Sequence, residues 1–329
     1  MSRVLIVGAG AVGQVFGRHL QLAGADLTFF VREKYRAELE RGFDLYPLNR
    51  ARSPLQPVRL TGFQVVTTAH EVAEQRFDQV YLTVSAPALA GPWLPELCRA
   101  ISDATLVTLQ PGLESRDLIQ RAGVPESQLV SGMISFMSYA APLPGETRFP
   151  LPGMAYWFPP LGPTPFSGPH PRTQEVVALL RRGGFASAER RDVDRTSAFP
   201  TAVLMPYLLT LEAAGWSFRE LVRSGRLQRG AQAAREALAV VAGSTGSAPL
   251  GIRLLALPAL ITILVWFARK IIPLPLELFL QKHFTKEAEQ TRQLVSEYID
   301  RGRATGLPTG ALEALLDLVK SESASSRPA

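Results

Sequence analysis

Gly8, Gly10 and Gly13 stand in the spacing G-x-G-x-x-G, and Gly17 follows one helical turn later. Glycines so spaced have separate jobs. Gly8 permits a tight turn, Gly10 lets the backbone approach a pyrophosphate, and Gly13 lets a helix pack closely on a strand. The peptide N–H groups of Ala11 and Val12, at the start of that helix, would then meet phosphate charge. The chemistry in prospect is dinucleotide binding. Arg32 stands just beyond the next apolar run, with Lys34 and Arg36 close behind. A carboxylate there would hold a ribose 2′-hydroxyl, whereas a cation suits a 2′-phosphate. The cofactor is therefore read as NADP, bound at Gly8, Gly10, Ala11, Val12, Gly13, Arg32 and Lys34. The competing reading gives the ribose to Glu33 and leaves the cations solvated.

These residues need a strand–turn–helix–strand unit to place them. Val4 to Val7 is a short apolar run with β-branched character, which predicts a buried strand. Val12, Val15, Phe16, His19 and Leu20 recur at helical spacing, and Ala23-Gly24 closes that helix before the strand Asp26–Val31. Phe77–Val84 and Ala104–Leu109 predict the next strands. Their loops, Ser85-Ala86-Pro87 and Gln110-Pro111-Gly112, fall at the carboxyl ends, where open parallel sheets bind ligands. Ser85 and Gln110 thereby join the cofactor-binding candidates. Leu129–Tyr139 and Gly153–Phe158 are further strand regions. Pro159–Pro171 reads as a loop, Arg172–Arg182 as a helix and Phe185–Arg191 as an edge strand.

From Thr196 onward the pattern predicts only helices: Thr196–Ala214, Phe218–Ser224, Leu227–Ala242, Thr285–Arg303 and Gly310–Lys320. The fold class is α/β, a Rossmann-type dinucleotide-binding domain followed by an all-helical C-terminal domain. The expected boundary makes residues 1–191 the NADP-binding domain and residues 192–329 a helical substrate or dimerisation domain.

Composition narrows the partners. The chain has 329 residues, 47% hydrophobic and 19% charged, enough to bury a sizeable core. Net charge is +6, and all but five of the 35 basic residues are arginine. That charge is spread along the chain rather than clustered with aromatics, which speaks against nucleic acid. Arg219, Arg223, Arg226 and Arg229 recur at helical spacing and read as a solvated face. One cysteine, Cys98, excludes an internal disulfide and gives no metal-ligand spacing, which fits a reducing cytoplasm. The apolar run after Arg3 leads straight into the glycine turn and is too short for a signal peptide.

The order of several motifs resembles that of ketopantoate reductases (2-dehydropantoate 2-reductases). The resemblance lies in Val4-Leu5-Ile6-Val7-Gly8-Ala9-Gly10-Ala11-Val12-Gly13, in Phe29-Phe30-Val31-Arg32 and in Asp78-x-Val80-x-Leu82-x-Val84. It extends to Val130-Ser131-Gly132 with Pro144-Gly145, to Glu236-Ala237-Leu238-Ala239 with Gly243, and to Arg303–Pro308. It implies a Rossmann domain, a helical C-terminal domain and a cleft between them. The implied activity is NADPH-dependent reduction of an α-keto acid to a 2-hydroxy acid. The substrate half departs from the family. Its general-acid lysine falls near Phe199, and no lysine lies between Lys34 and Lys270. Its second lysine falls at about Ser85, its asparagine at Gln110 or Pro111, and its late acidic residue near Gln290.

A keto-acid site needs a proton donor and a cation for the carboxylate. His283 and Lys286 are the candidate catalytic residues, with Gln290 and Tyr207 as candidate substrate contacts and Tyr139 and Arg195 as lesser ones. Offsets of three and four residues would bring His283, Lys286 and Gln290 together on one helix. The segment 250–284 is unusual because Leu254–Phe267 has no charged residue. That run is shorter than the ~20 residues of a spanning helix, and Pro258, Pro273 and Pro275 punctuate the region. It is read as a buried core helix and apolar wall, ahead of a homodimer contact and of an interfacial membrane segment. The expected function is reduction of a carbonyl compound, a 2-keto acid or a more apolar ketone, with NADP in the cytoplasm. The alternative is a catalytically degenerate NADP-binding sensor or partner.

Overall fold

The strand Arg3–Val7 (β1) lies inside an eight-stranded sheet in the computed structural model, which describes residues 1–50, 55–110, 115–160, 162–286 and 288–325. The other strands are β2 (Asp26–Phe30), β3 (Phe43–Pro47), β4 (Val58–Leu60), β5 (Gln64–Val66) and β6 (Gln79–Leu82). They continue with β7 (Thr105–Thr108), β8 (Leu129–Gly132), β9 (Met137–Ala141), β10 (Gly153–Trp157), β11 (Thr164–Ser167) and β12 (Ser187–Glu189). The large sheet runs β12-β11-β8-β7-β6-β1-β2-β5. Its first six strands in chain order are mutually parallel, with β2 and β5 extending to one side of β1 and then β6, β7 and β8 to the other. That is the doubly wound arrangement whose strand order reverses beside β1. A four-stranded sheet, β4-β3-β10-β9, accompanies it.

Alternation along β1 explains why its residues are all apolar. Val4 and Ile6 pack into one core with Phe16, Leu20, Phe29, Phe166 and Phe185, while Leu5 and Val7 pack into another with Leu82, Leu97, Ile101 and Ile119. Successive side chains point to opposite faces, and a parallel sheet covered on both faces needs apolar residues on each. The helices Ala11–Leu22 and His170–Arg182 serve the first face, and Trp93–Ala100 and Ser115–Arg121 the second.

Two sequence expectations change here. The proline- and glycine-rich loop at Pro159–Pro171 contains β11, which pairs antiparallel with β8 and parallel with β12. Thr164 and Phe166 are fully buried there, so core packing outweighs the turn-forming neighbours. The single strand region Leu129–Tyr139 is divided between sheets, with β8 in the large one and β9 in the small one.

His19, on the helix Ala11–Leu22, is a buried polar residue of the first core. Its Nδ1–H donates to the Gly183 carbonyl at 2.8 Å, and Nε2 is buried without a hydrogen-bond partner. The rings of Tyr156, Phe158 and Phe185 stand edge-on around it. Burial is the main cause that holds its pKa below the ordinary 6.5; the Gly183 carbonyl opposes that only in part. Native His19 therefore stays neutral while the unfolded chain takes up a proton as pH falls below 6.5. Stability contributed by His19 is full above that pH and is lost below it, by at most about 1.4 kcal/mol per pH unit. Denaturant melts between neutral and mildly acid pH are expected to fall more steeply for the native chain than for His19→Gln. Parallel pH profiles for the two would contradict this role.

The chain divides into two compact units, Met1–Asp194 and Arg195–Ala329. Among its described residues the second unit is helical throughout. Its centre is the helix Arg226–Thr245, flanked by Ala288–Ala304 and Gly310–Ser325. Glu236 caps the last of these by accepting from the Ala311 and Leu312 N–H groups at 2.9 and 3.0 Å.

The expected late helix Thr285–Arg303 falls on the described helices Leu276–Lys286 and Ala288–Ala304, with residue 287 outside the described residues. The apolar segment forms Leu250–Leu254, Pro258–Ile271 and Leu276–Lys286, with Pro258 starting a helix and Pro273 and Pro275 lying in the bend between two. The expected burial fails in the central helix of this segment: no residue of Pro258–Ile271 is buried, although Ala256 and Phe279 on either side are. The helix packs beside Arg226–Thr245. It is apolar around its circumference, so covering one side leaves Ile263, Trp266, Phe267 and Ile271 in solvent.

Candidate functional site

The site grows from the carboxyl ends of β1, β2, β6 and β7. Gly8 leaves β1 with φ +95°, a conformation that L side chains rarely adopt. Its N–H donates to Phe30 O at 2.9 Å, which ties the turn to the end of β2. Gly13 passes so close beneath that an added Cβ would lie 2.2 Å from Gly8 O and 2.7 Å from Thr83 Oγ1. Gly10 is different. It caps the helix Ala11–Leu22 in an extended conformation, without a side-chain cap, and a Cβ there would meet nothing within 4 Å. The first turn of that helix carries no acidic residue. The N–H groups of Ala11 and Val12 thus open onto clear space at a positive helix end. A phosphate fits this cradle: it needs unpaired N–H donors, no opposing carboxylate and room beside Gly10.

Thr83 braces the turn from β6. Its hydroxyl lies 2.9 Å from both Val7 O and Gly8 O. Sequence reading treated Thr83 only as strand; a threonine ending a parallel strand beside the glycine turn was the available signal. Ser85 follows, half-buried, at the cap of a short 3-10 turn, and its side chain makes no capping bond. Gln110 sits at the end of β7 with its amide fully engaged. Nε2 donates to Leu82 O and Val84 O at 2.9 and 2.8 Å, and Oε1 accepts from Thr108 Oγ1 and the Leu109 N–H. Its side chain joins the ends of β6 and β7, next to the loop that carries Ser85. Pro111 lies outside the described residues.

At the end of β2, Arg32 and Lys34 flank one ring: Arg32 Cζ lies 5.2 Å and Lys34 Nζ 5.0 Å from the Tyr35 centroid. Arg32 also donates to Tyr35 Oη at 3.1 Å. Among the described residues neither cation forms an ion pair. Arg36 behaves otherwise. It bridges Glu33 and Glu71 and donates to Val65 O and Thr67 Oγ1. The Thr67 hydroxyl, then Arg36, holds the Glu33 carboxyl below its usual range. Glu71 caps its own short helix through the Thr67 and Thr68 N–H groups and is pulled down to about 2, chiefly by the Thr67 backbone. Glu33, the competing ribose partner, is thus occupied within the loop.

The second unit holds the substrate-side candidates. His283 stacks on Phe279 at 5.5 Å and meets Phe284 edge-on. Burial first, then the Lys286 charge, lowers its pKa, so it is neutral at pH 7. Lys286 is exposed on the same helix, and Gln290, within Ala288–Ala304, is half-buried. Tyr207, in the helix Val193–Ala213, is 8% exposed, and its hydroxyl is buried without a hydrogen-bond partner. Burial pushes its pKa up to about 12. Phe199, where the resemblance would place a lysine, is 4% exposed in that same helix. Tyr139 is engaged with Glu146 and Arg148 in the first unit. Among the described residues no cluster of His, Cys, Asp or Glu could hold a metal ion.

Residues 4–154 match the family profile described as ketopantoate reductase PanE/ApbA. Several solved structures share the fold over nearly the whole chain. A PanE/ApbA family ketopantoate reductase from Ralstonia eutropha JMP134 is 19% identical, with TM-score 0.70 and 97% of each chain covered. A 2-dehydropantoate 2-reductase from Geobacter metallireducens GS-15 is 16% identical, with TM-score 0.68 and 97% and 99% covered. A D-mandelate dehydrogenase solved with NADH and anilino(oxo)acetate is 16% identical, with TM-score 0.72 and 98% of each chain covered. No curated protein matches the chain in sequence. The matched residues 4–154, which carry the glycine turn and its bracing threonine, are similar to the ketopantoate reductase PanE/ApbA family.

Proposed function

We propose that this chain is an NADP-dependent oxidoreductase of the cytoplasm that reduces the carbonyl of a 2-oxo acid or more apolar ketone. The observation that carries the cofactor choice is the pair of unpaired cations, Arg32 and Lys34, at the end of β2. Glu33, which would favour a free ribose hydroxyl, is held by Arg36 and Thr67. The turn from Gly8 to Gly13 holds the pyrophosphate through backbone N–H groups. Arg32 and Lys34 hold the 2′-phosphate, and Ser85 and the loop fixed by Gln110 border the cofactor. When bound, the cofactor supplies hydride chemistry.

Proton supply falls to the second unit. Lys286 is the cation there, and His283, neutral at pH 7, serves as a hydrogen-bonding partner. Gln290 and Tyr207 contact the substrate. The D-mandelate dehydrogenase neighbour, solved with an oxoacetate, supports the substrate class. A second reading, a cofactor-binding protein without turnover, draws on buried Phe199 at the expected general-acid position.

Arg32→Ala is the test of the cofactor. A charge-assisted hydrogen bond contributes about 1.5–3 kcal/mol, so NADPH affinity should fall roughly 10- to 150-fold by fluorescence titration. NADH affinity should change little. Equal losses for both nucleotides would refute the assignment.

A further inference from the structure

The helix Pro258–Ile271 has no buried residue and presents a large apolar face to solvent. Ile263, Trp266, Phe267 and Ile271 are each about half exposed, and Leu250, Leu254 and Leu257 from the preceding turn add to them. A contiguous apolar surface of this kind on a soluble chain marks something it binds. The charges around it say what. Arg253, Arg269 and Lys270 are exposed, and no acidic residue occurs between Glu236 and Glu277. None of the three cations forms an ion pair with a described residue. Lys270 Nζ lies 3.6 Å over the Trp266 ring, so one end of the helix presents an aromatic face beside positive charge.

We propose that Leu250–Ile271 docks on an anionic phospholipid surface, with Trp266 and Phe267 inserted at headgroup depth and Arg253, Arg269 and Lys270 on lipid phosphates. Tryptophan concentrates at membrane interfaces, and cations near an anionic leaflet each add attraction. A second copy of the chain fits less well. Twofold contact through this patch would set one acid-free cationic surface against another. Spanning also fits less well. Fourteen residues make a helix of about 21 Å, shorter than the ~30 Å hydrocarbon core. No single described helix is long and apolar enough to cross. Pro258–Ile271 and Leu276–Lys286 meet that test only together, and they are bent by 106°. The helix therefore lies in the plane of the surface.

Flotation of the full chain with vesicles tests this. The chain should float with phosphatidylcholine–phosphatidylglycerol vesicles at low salt, and not with phosphatidylcholine alone. High salt should release it. Brominated lipid should quench the native chain more than Trp266→Phe. Each cation near an anionic surface contributes roughly a fivefold factor, so Arg269→Glu with Lys270→Glu should lower partitioning about 25-fold or more. Trp266→Ser with Phe267→Ser should also release the chain while its melting temperature holds, since both side chains are exposed. Failure to float at low salt would overturn the proposal. So would a dimer in sedimentation that the Trp266/Phe267 variant dissociates, which would give the face to a second copy. Flotation that survives carbonate extraction would overturn it in favour of a spanning hairpin.

Discussion

Gly13→Ala is expected to lose binding of NADPH and NADH alike and to melt at a lower temperature. The added methyl would sit 2.2 Å from the Gly8 carbonyl oxygen and 2.7 Å from Thr83 Oγ1. The nearer atom is backbone, in a turn fixed by the Gly8 N–H and by Thr83, so it cannot swing aside. Overpacking of this kind costs about 1–3 kcal/mol and moves the turn that must approach the phosphates. Gly10→Ala is the informative contrast. Its methyl meets nothing within 4 Å in the protein, so stability should hold. Binding should still weaken, because the methyl occupies the space a pyrophosphate takes. Thermal melts and nucleotide titrations of both variants separate the two roles. A Gly10→Ala chain that binds NADPH as well as the native one would show that phosphate does not approach there.

Ketopantoate is expected to be turned over at least ~100-fold more slowly than by an enzyme with a positioned general acid, because the lysine that the resemblance implies is absent. Phe199, buried in the helix Val193–Ala213, cannot donate a proton, and Pro200 follows it inside the helix. No shift of alignment supplies a lysine, because none lies between Lys34 and Lys270. A positioned general acid contributes about 10²–10⁴-fold. Oxidation of NADPH, followed with ketopantoate in chelator-treated buffer, measures the rate. Ketopantoate turnover in the ordinary enzyme range of about 1–10³ s⁻¹ would show that another residue has taken the role.

The glycine turn, the strands beside it and most of the helical half were legible because each has a strong local cause. Gly8, Gly10 and Gly13 have a fixed spacing. Val4–Val7 is apolar on both faces, and the long helices carry their own periodicity. The small sheet was not legible. Its β4 has three residues and its β3 ends in Pro47, too little for a period to register. Strand β11 was hidden by Pro165 and Gly168, whose turn character is overridden by burial of Phe166.

The roles of Arg32 and Arg36 could not be told apart in sequence either. Both follow β2, and the distant Val65, Thr67 and Glu71, brought near by the pairing of β2 with β5, join Glu33 in claiming Arg36. The exposure of Trp266 and Phe267 is of the same kind. Composition shows an apolar helix, but how many sides its neighbours cover is a property of the packed unit.

The Arg36 knot has an evolutionary consequence. The loop after β2 is fastened by Arg36 to Glu33, Thr67 and Glu71, and by Glu71 to the next helix. Arg32 holds none of that structure; its described partner is the Tyr35 side chain. If Arg32 binds the 2′-phosphate as proposed, cofactor preference and loop architecture rest on different residues. Under that proposal, drift at position 32 would carry a lineage from one nicotinamide dinucleotide to the other without passing through an unstable intermediate, whereas change at Arg36 would breach the scaffold first.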